Sequence, residues 1–263
     1  MPEIIRNMPD GAYRARPELA QSTIKLFGLA TPAHAKYAMD NRKDSPSKNM
    51  GRAIHALILE EKKIYAVEPI ADGRTKEGKA IKAAFAADNS GKLILTAAEG
   101  AKVEGMAAGV RRNKGAMTLL AACYEFELSI FWDGYKARLD ALSPLGPVDL
   151  KSTDDASPWA FSKKTLLDYG AYIQSPHYLE GCAACGLPCE NFHFIAVESE
   201  APHECAIYVA DHESLEIGMR ELHRLREIAK HCLETGEYPG YSHEPELIGL
   251  PAWKIRQEER ING

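Results

Sequence analysis

The sequence predicts an α/β fold in which helices flank a mixed central sheet, preceded by a helical N-terminal part. Two observations lead to this prediction. Up to about residue 120 the apolar residues recur at helical spacing, whereas the middle of the chain holds short β-rich segments separated by turn residues. Helical and strand-like segments then alternate, which is typical of a domain built around one sheet.

The N-terminal part is predicted to be helical after a loosely held start. Prolines and a glycine break any periodicity there: Pro2, Pro9, Gly11 and Pro17. We therefore expect a flexible lead-in over residues 1–20 and a single domain over residues 21–263. The helices of its first part (21–120) are predicted at Ser22–Leu29, from Pro32, and at Gly51–Glu60, Lys76–Asn89 and Thr96–Asn113, the last opened by a capping box of Thr96 and Glu99.

The second part of the domain, an α/β core over residues 121–238, is predicted to begin with three consecutive strands. These are Glu125–Trp132, Tyr135–Ala141 and Val148–Ser152, and Asp133-Gly134 is a favoured hairpin turn between the first two. Helices are predicted next at Pro158–Asp168 and Ala171–Ala184, then strands at Phe192–Glu198 and Glu204–Ala210, and a helix at His212–Thr235. A tail over residues 239–263 carries three prolines and is predicted to be irregular.

Composition excludes several classes of protein. The 32 Lys and Arg residues against 37 Asp and Glu residues give a net charge of −5, which excludes a protein that coats nucleic acid by bulk positive charge. No apolar run approaches the roughly 18 residues of a membrane helix, so we expect no membrane association. The first residues are charged, unlike a secretory leader, and the six cysteines are typical of reduced thiols; both indicate a cytoplasmic protein.

Two acids and a lysine are placed to meet on neighbouring strands. Asp140 alternates with Lys136 and Arg138 along one strand, and Asp149 and Lys151 share a face of the next. Carboxylates hold Mg²⁺, and a nearby ammonium group can orient an attacking water, which is what metal-assisted phosphodiester cleavage requires. The alternative is that these charges only pair across the sheet, the commoner fate of so short a motif.

Two helices add polar groups to this set. Gln174 and Tyr178 are four residues apart and therefore lie on one face of a helix, where both can hydrogen-bond a phosphate or a site residue. His55 interrupts an apolar helical segment and is either a satisfied core residue or a metal ligand.

In order and spacing, these residues resemble the PD-(D/E)xK nuclease superfamily and, within it, the branch with a QxxxY helix. The nearest resemblance is to the RecE (exodeoxyribonuclease VIII) nuclease-domain family of phage and prophage type. The segments that carry it, from about Ser22 to Trp253, are MGRAIHALILE, GKAIKAAF, FWDGYKARLDAL, VDLKSTDDASPWAF, YIQSPHYLEG, FHFIAVE and TGEYPGY…LPAW. Two positions depart from the pattern: Leu139 stands where a proline is frequent, and Asp149 replaces a glutamate while keeping its charge.

The resemblance implies a restriction-endonuclease-like fold over residues 21–263 and a Mg²⁺-dependent exonuclease, with Mn²⁺ able to substitute, that degrades double-stranded DNA from 5′ ends. It further implies a ring-like homo-oligomer that works with a single-strand annealing protein of the RecT type in homologous recombination, in a bacterial or phage-infected cell. A catalytically silent DNA-end-binding protein and a sequence-specific endonuclease remain alternatives on the same fold.

Carried over by residue, the resemblance makes His55, Asp140, Asp149 and the Leu150 carbonyl metal ligands. Lys151 would position the attacking water, and Gln174 and Tyr178 would complete the catalytic site. Glu127 is a weaker candidate for an outer contact to a metal-bound water, and a plain strand charge is equally compatible with it. Arg52 and Arg138 are candidate contacts to a DNA 5′-phosphate.

The cysteines and the tryptophans of the sequence do not indicate a further site. Cys182, Cys185 and Cys189 lack an evident fourth ligand, and they fall partly on the tail of a helix, so an iron–sulfur cluster is not expected. The three tryptophans are predicted to belong to the core rather than to stack on bases; they are Trp132, Trp159 and Trp253.

Overall fold

The computed structural model describes residues 1–28, 30–41 and 46–262 of the chain. The elements of the first part are β1 (Glu3–Ile5), α1 (Asp10–Ala15), β2 (Leu19–Ala20), α2 (Gln21–Ile24) with a 3-10 turn at Lys25–Gly28, α3 (Pro32–Asp40), α4 (Pro46–Leu59), β3 (Tyr65–Val67), α5 (Lys76–Asp88), β4 (Leu93–Leu95), α6 (Ala97–Arg112) and α7 (Lys114–Ala122). The second part contains β5 (Glu125–Trp132), β6 (Tyr135–Ser143), β7 (Gly146–Thr153), α8 (Pro158–Ala160), which continues as a π-helix at Phe161–Asp168, α9 (Ala171–Ala184), β8 (His193–Glu198), β9 (Cys205–Val209), α10 (His212–Thr235) and α11 (Ala252–Asn262). None of the helices in these ranges combines the length and the apolar character that a membrane span requires.

Within the described ranges, seven strands form one mixed sheet in the order β1-β5-β6-β7-β8-β9, with β2 added alongside β6. The strands β5, β6 and β7 form an antiparallel meander, whereas β7 and β8 run parallel. A parallel pair needs a long crossover connection, and the chain from α8 to α9 supplies it. The strands β3 and β4 form a separate parallel pair.

Helices cover both faces of this sheet, as the residues of β8 show. Ile195 and Val197 belong to an apolar cluster with α4, α6 and α7, whereas Phe194 and Ala196 pack with α9 and the π-helix. Neighbouring residues of a strand point to opposite faces, so these two groups of helices lie on opposite sides of the sheet. This arrangement confirms the predicted fold class.

The two ends of the chain differ from the sequence predictions. The lead-in is not irregular, because Glu3–Ile5 pairs antiparallel with β5, and a three-residue strand is too short to show a periodic pattern. The tail is not irregular throughout, since it contains α11. The predicted end of the first short helix, Leu29, lies outside the described residues.

The helix α9 packs closely against both the sheet and α10. An added Cβ at Gly181 would lie 2.5 Å from the Trp132 ring on β5, so only glycine permits this approach. Pro176 has no N–H to donate to the Tyr172 carbonyl one turn earlier, and α10 passes directly over that carbonyl. At the crossing point an added Cβ on Gly218 would lie 1.9 Å from Tyr172 O.

A buried polar network fixes the position of α9. Arg226 of α10 donates to both carboxylate oxygens of Glu180, at 2.9 and 2.8 Å, and to His177 Nδ1 at 2.9 Å. His177 Nε2 donates in turn to Lys136 O at 3.1 Å, and Trp132 Nε1 donates to Glu180 Oε1 at 2.9 Å. Because His177 accepts from an arginine and donates to a carbonyl, it is neutral.

This network should make the free energy of unfolding depend on pH. Burial, and to a smaller extent the charge of Arg226, lowers the pKa of His177 to about 3. In the unfolded chain the pKa of this imidazole is about 6.5. The stability that neutral His177 contributes is therefore complete above about pH 6.5. It is lost as the pH falls toward 3, by at most about 1.4 kcal/mol per pH unit.

The matched variant is His177→Gln, which keeps a donor and an acceptor but does not titrate. Urea unfolding at about pH 7.5 and at about pH 5 should show a smaller loss of stability for this variant than for the wild-type protein. An equal loss in both proteins would contradict the assignment.

Candidate active site

The candidate active site lies where the pairing of β6 and β7 stops. The last pair is Ala141 with Val148, and the next in register would be Asp140 with Asp149. Instead of that pair, Leu150 N donates to Asp140 Oδ2 at 2.9 Å. The two strands thus diverge at the acids, in what we call the β6–β7 fork, and a side chain accepts a hydrogen bond from the backbone of the neighbouring strand.

The pairing of β5 with β6 is interrupted at the same level. Glu127 and Asp140 are opposite in register but form no bridge, although the pairs on either side do. Glu127 has a φ of +49°, in the left-handed region. In a regular strand, residues two apart face the same side of the sheet. Leu139 instead packs on the α9 side and Ala141 on the α4 side, so the two faces of β6 are exchanged at Asp140. Glu127, Asp140 and Asp149 therefore occupy one level of three neighbouring strands.

His55 approaches this level from α4. Its Nε2 lies 2.7 Å from Leu150 O, and because a carbonyl only accepts, Nε2 donates. Its Nδ1 lies 3.5 Å from Asp140 Oδ2, which is longer than a good hydrogen bond. His55, Glu127 and Asp140 each offer a ligand atom within 4.8 Å of the other two.

Burial, together with repulsion among the acids, raises the pKa values of Glu127 and Asp140. Burial, followed by the charge of Asp140, raises the pKa of Glu127 to about 7. Burial also raises the pKa of Asp140, and the charge of Asp149 adds to this effect while His55 and Lys151 oppose it. Burial lowers the pKa of His55, but the charges of Asp140 and Asp149 outweigh burial and the net shift is upward. The site therefore favours positive charge between these groups.

On the other side of the fork, Asp149, Lys151 and Gln174 form a closed triangle. Gln174 Nε2 donates to Asp149 Oδ1 at 2.6 Å and Gln174 Oε1 accepts from Lys151 Nζ at 3.0 Å. Lys151 Nζ also lies 2.6 Å from Asp149 Oδ2. That contact is an ion pair without hydrogen-bond alignment, so the buried Oδ2 accepts no hydrogen bond from the described residues.

Tyr178 follows Gln174 by one helical turn and reaches the same site. Its ring packs against Phe192 with the centroids 5.8 Å apart. Burial is the main reason that the pKa of its hydroxyl lies well above the usual value. Tyr13 and the charges of Asp149 and Asp140 add to this shift.

These donors fit a divalent cation. Asp149 Oδ2 is buried with the Lys151 ammonium as its 2.6 Å ion-pair partner, and the Asp140 and Glu127 carboxylates repel each other across one level of the sheet. Hard carboxylate oxygens with one imidazole suit Mg²⁺ or Mn²⁺ rather than a soft metal. The residues that would hold the cation are His55, Glu127, Asp140 and Asp149.

The two arginines proposed as DNA contacts lie near the site in different surroundings. Arg52 is exposed on α4, one turn before His55. Arg138 donates to Ser129 Oγ at 3.2 Å and to Met8 O at 2.9 Å, and it stacks on the Tyr13 ring at 4.4 Å. The N-terminal segment therefore occupies Arg138, which would have to exchange these contacts to bind a phosphate.

The cysteines lie apart from this site. Cys182 is buried in the apolar cluster between α9 and the sheet, and burial raises the pKa of its thiol to about 12. Cys185 and Cys189 pack at the edge of the same cluster. Among the described residues, the group of His, Cys, Asp and Glu side chains whose ligand atoms lie within 4.8 Å of one another is His55, Glu127 and Asp140, and it contains no cysteine.

Residues 20–251 match the family described as "PDDEXK-like domain of unknown function (DUF3799)". The chain belongs to this family. No curated protein matches the chain. Among solved structures, a crystal structure described as a "putative exonuclease" from Eubacterium rectale is similar to it, with a TM-score of 0.58 over 96% of this chain and 98% of that chain. At 13% sequence identity this likeness shows a shared fold.

The sequence predicts Glu127 only as an outer contact, whereas in the structure it lies opposite Asp140. The two-residue turn at Asp133-Gly134, in which both residues have positive φ, fixes the register of the β5–β6 hairpin. Counting outward from this turn places Glu127 opposite Asp140, as observed. The hairpin register was therefore a signal in the sequence that Glu127 joins the acids.

Removing one acid should weaken cation binding. Asp140→Asn keeps an oxygen for Leu150 N but removes a negative charge. Loss of an outer partner alone typically costs about 10–100-fold in metal affinity, so we expect at least about tenfold weaker Mn²⁺ binding by isothermal titration calorimetry. The control is Asp72→Asn, which alters a surface carboxylate paired with Arg74. Equal Mn²⁺ affinity of Asp140→Asn and the wild-type protein would contradict this metal site.

Proposed function

We propose that this DUF3799 protein is a divalent-metal-dependent exonuclease that hydrolyses double-stranded DNA from its ends in the 5′-to-3′ direction. The observation that carries the proposal is the β6–β7 fork. There, His55, Glu127 and Asp140 place ligand atoms within 4.8 Å of one another in a PDDEXK-like fold, and Asp149, at the same level of the sheet, pairs with Lys151 at 2.6 Å. The QxxxY pair on α9, Gln174 and Tyr178, supports the RecE-type branch of the superfamily.

The protein groups divide into ligands and positioning residues. Asp140, Asp149, Glu127 and His55 would hold the cation, and the Leu150 carbonyl, the further ligand that the resemblance implies, lies beside them and accepts from His55 Nε2. Mg²⁺ is the proposed ion, and Mn²⁺ should substitute for it because one ligand is an imidazole. When bound, such a cation polarises the phosphate and lowers the pKa of a coordinated water.

Lys151 is the proposed positioning residue for the attacking water. Its ammonium group has three protons; it donates to Gln174 and pairs with Asp149, and further donor capacity remains. It would hold the water in line with phosphorus while the new P–O bond forms and the P–O3′ bond breaks. Gln174 holds both Lys151 and Asp149 in place. The Tyr178 hydroxyl would donate to a non-bridging phosphate oxygen.

The cellular role that we propose follows from the RecE-type resemblance. Degradation of 5′ strands would leave single-stranded 3′ tails for phage-type homologous recombination. A single-strand annealing protein of the RecT type would receive these tails. A ring-like homo-oligomer around the duplex would keep the enzyme on its substrate, in the cytoplasm of a bacterial or phage-infected cell.

Replacing Lys151 tests this function. Lys151→Ala should reduce the cleavage of linear double-stranded DNA in Mg²⁺ by about 10²-fold or more, because misplacing a reacting group costs about that much. The assay follows duplexes carrying a label at the 5′ or the 3′ end, so that the order of label release reports direction. Lys82→Ala, which also removes an ion-paired lysine but lies outside the site, is the matched control.

A covalently closed circle incubated beside the linear form tests whether ends are required. Cleavage of the circle would identify an endonuclease. Binding of ends without loss of nucleotides, in Mg²⁺ and in Mn²⁺, would identify a silent DNA-binding protein. Undiminished cleavage by Lys151→Ala would remove this residue from the mechanism.

A further inference from the structure

The segment that links β7 to α9 exposes large aromatic and apolar side chains. Trp159 is 73% exposed, Tyr169 60% and Leu167 62%. The prediction that the three tryptophans belong to the core holds for Trp132 but is wrong for Trp159, on α8, and for Trp253, on α11. Several large exposed apolar side chains on one folded segment mark a candidate binding surface.

This segment is nevertheless firmly anchored. Phe161 is buried and stacks on Tyr208 with the ring centroids 4.7 Å apart, and Thr165 is buried as well. At the far end, Lys25 Nζ donates to Tyr169 O at 3.1 Å and Gln21 Nε2 to Gly170 O at 3.4 Å. The exposed rings are thus presented by a fixed piece of backbone rather than by a loose loop.

The exposed segment follows the candidate active site directly along the chain. The strand β7 ends at Thr153, shortly after Lys151, and α8 begins at Pro158. At the other end of the segment, Tyr169 and Lys164 line a cavity of about 250 Å³ together with Ser152, which neighbours Lys151 on β7 but points to the opposite face of the sheet. Lys163 Nζ lies over the Trp159 ring, 5.2 Å from its centroid.

The charges near these rings nearly cancel. Lys164 forms a 2.6 Å ion pair with Asp154, and the carboxylate of Asp155 accepts from Ser157 N at 2.8 Å. Asp168 adds a further acid to the same segment. The surface is therefore poorly suited to holding phosphates by charge alone, and stacking on a ring is the interaction that it offers best.

We propose that Trp159, together with Tyr169, forms a platform on which unpaired bases of the DNA strand stack as they leave the active site. The proposal rests on the proposed nuclease function. Each base has a π-face, so such a platform binds single strands irrespective of sequence. By binding these bases, the platform would keep the end of the DNA strand unpaired and close to Lys151 between successive cleavage events.

The test compares binding of fluorescein-labelled single strands and tailed duplexes by anisotropy, with Ca²⁺ in place of Mg²⁺. Trp159→Ala should weaken binding of both by about tenfold, whereas Trp159→Phe should retain most of the affinity. Trp253→Ala, which removes another exposed tryptophan (65%) from the tail, is the matched control. Because stacking is not electrostatic, the loss should be the same at low and at physiological salt.

A second measurement separates stacking from a fold defect. An abasic residue moved along the single strand should weaken wild-type binding at one position, and Trp159→Ala should show no further loss there. If no position shows this coupling, the platform is wrong. If Trp159→Ala binds as the wild-type protein does, and the wild-type protein degrades DNA ends, the platform fails while the nuclease function stands. A wild-type protein that neither binds nor cleaves DNA would overturn both.

Discussion

The hydrogen bond from Leu150 N to the Asp140 carboxylate is the contact on which the candidate site depends. It replaces the backbone pair that β6 and β7 would otherwise form at this level, and so it keeps the two strands apart without leaving a buried N–H unpaired. The opening that results exposes Asp140 to His55 on one side and leaves Asp149 to Gln174 on the other. With an apolar residue at position 140, the sheet would either close by regular pairing or bury an unsatisfied donor.

The second requirement is that α9 be held at a fixed height over this opening. Gln174 and Tyr178 reach the acids only because Gly181 and Gly218 let the helix approach β5 and α10 closely. The Arg226 network then fixes its rotation. The candidate site residues of α9 thus depend on contacts that other residues of the same helix make with β5, β6 and α10.

The fold class and the core of the site could be predicted from the sequence because both leave regular patterns. The alternation of Asp149 and Lys151, and the four-residue spacing of Gln174 and Tyr178, are short-range features of a strand and a helix. The left-handed backbone at Glu127 and the turning over of β6 at Asp140 could not be predicted, since they arise where three strands compete for the same hydrogen bonds. The exposure of Trp159 could not be predicted either, because a single tryptophan beside a proline belongs to no periodic pattern that distinguishes a buried position from an exposed one.

The interrupted pairing at the fork also affects the stability of the sheet. A level of the sheet that lacks regular backbone pairs and gathers three like charges is locally frustrated, in that its own residues oppose the structure that the surrounding strands impose. Any ion that neutralises these charges binds the folded chain and not the unfolded one, and so it adds its binding free energy to the stability of the whole sheet. The ion required for chemistry would therefore also serve as a structural ligand, and chelation would loosen the molecule first at the junction of its two central strands.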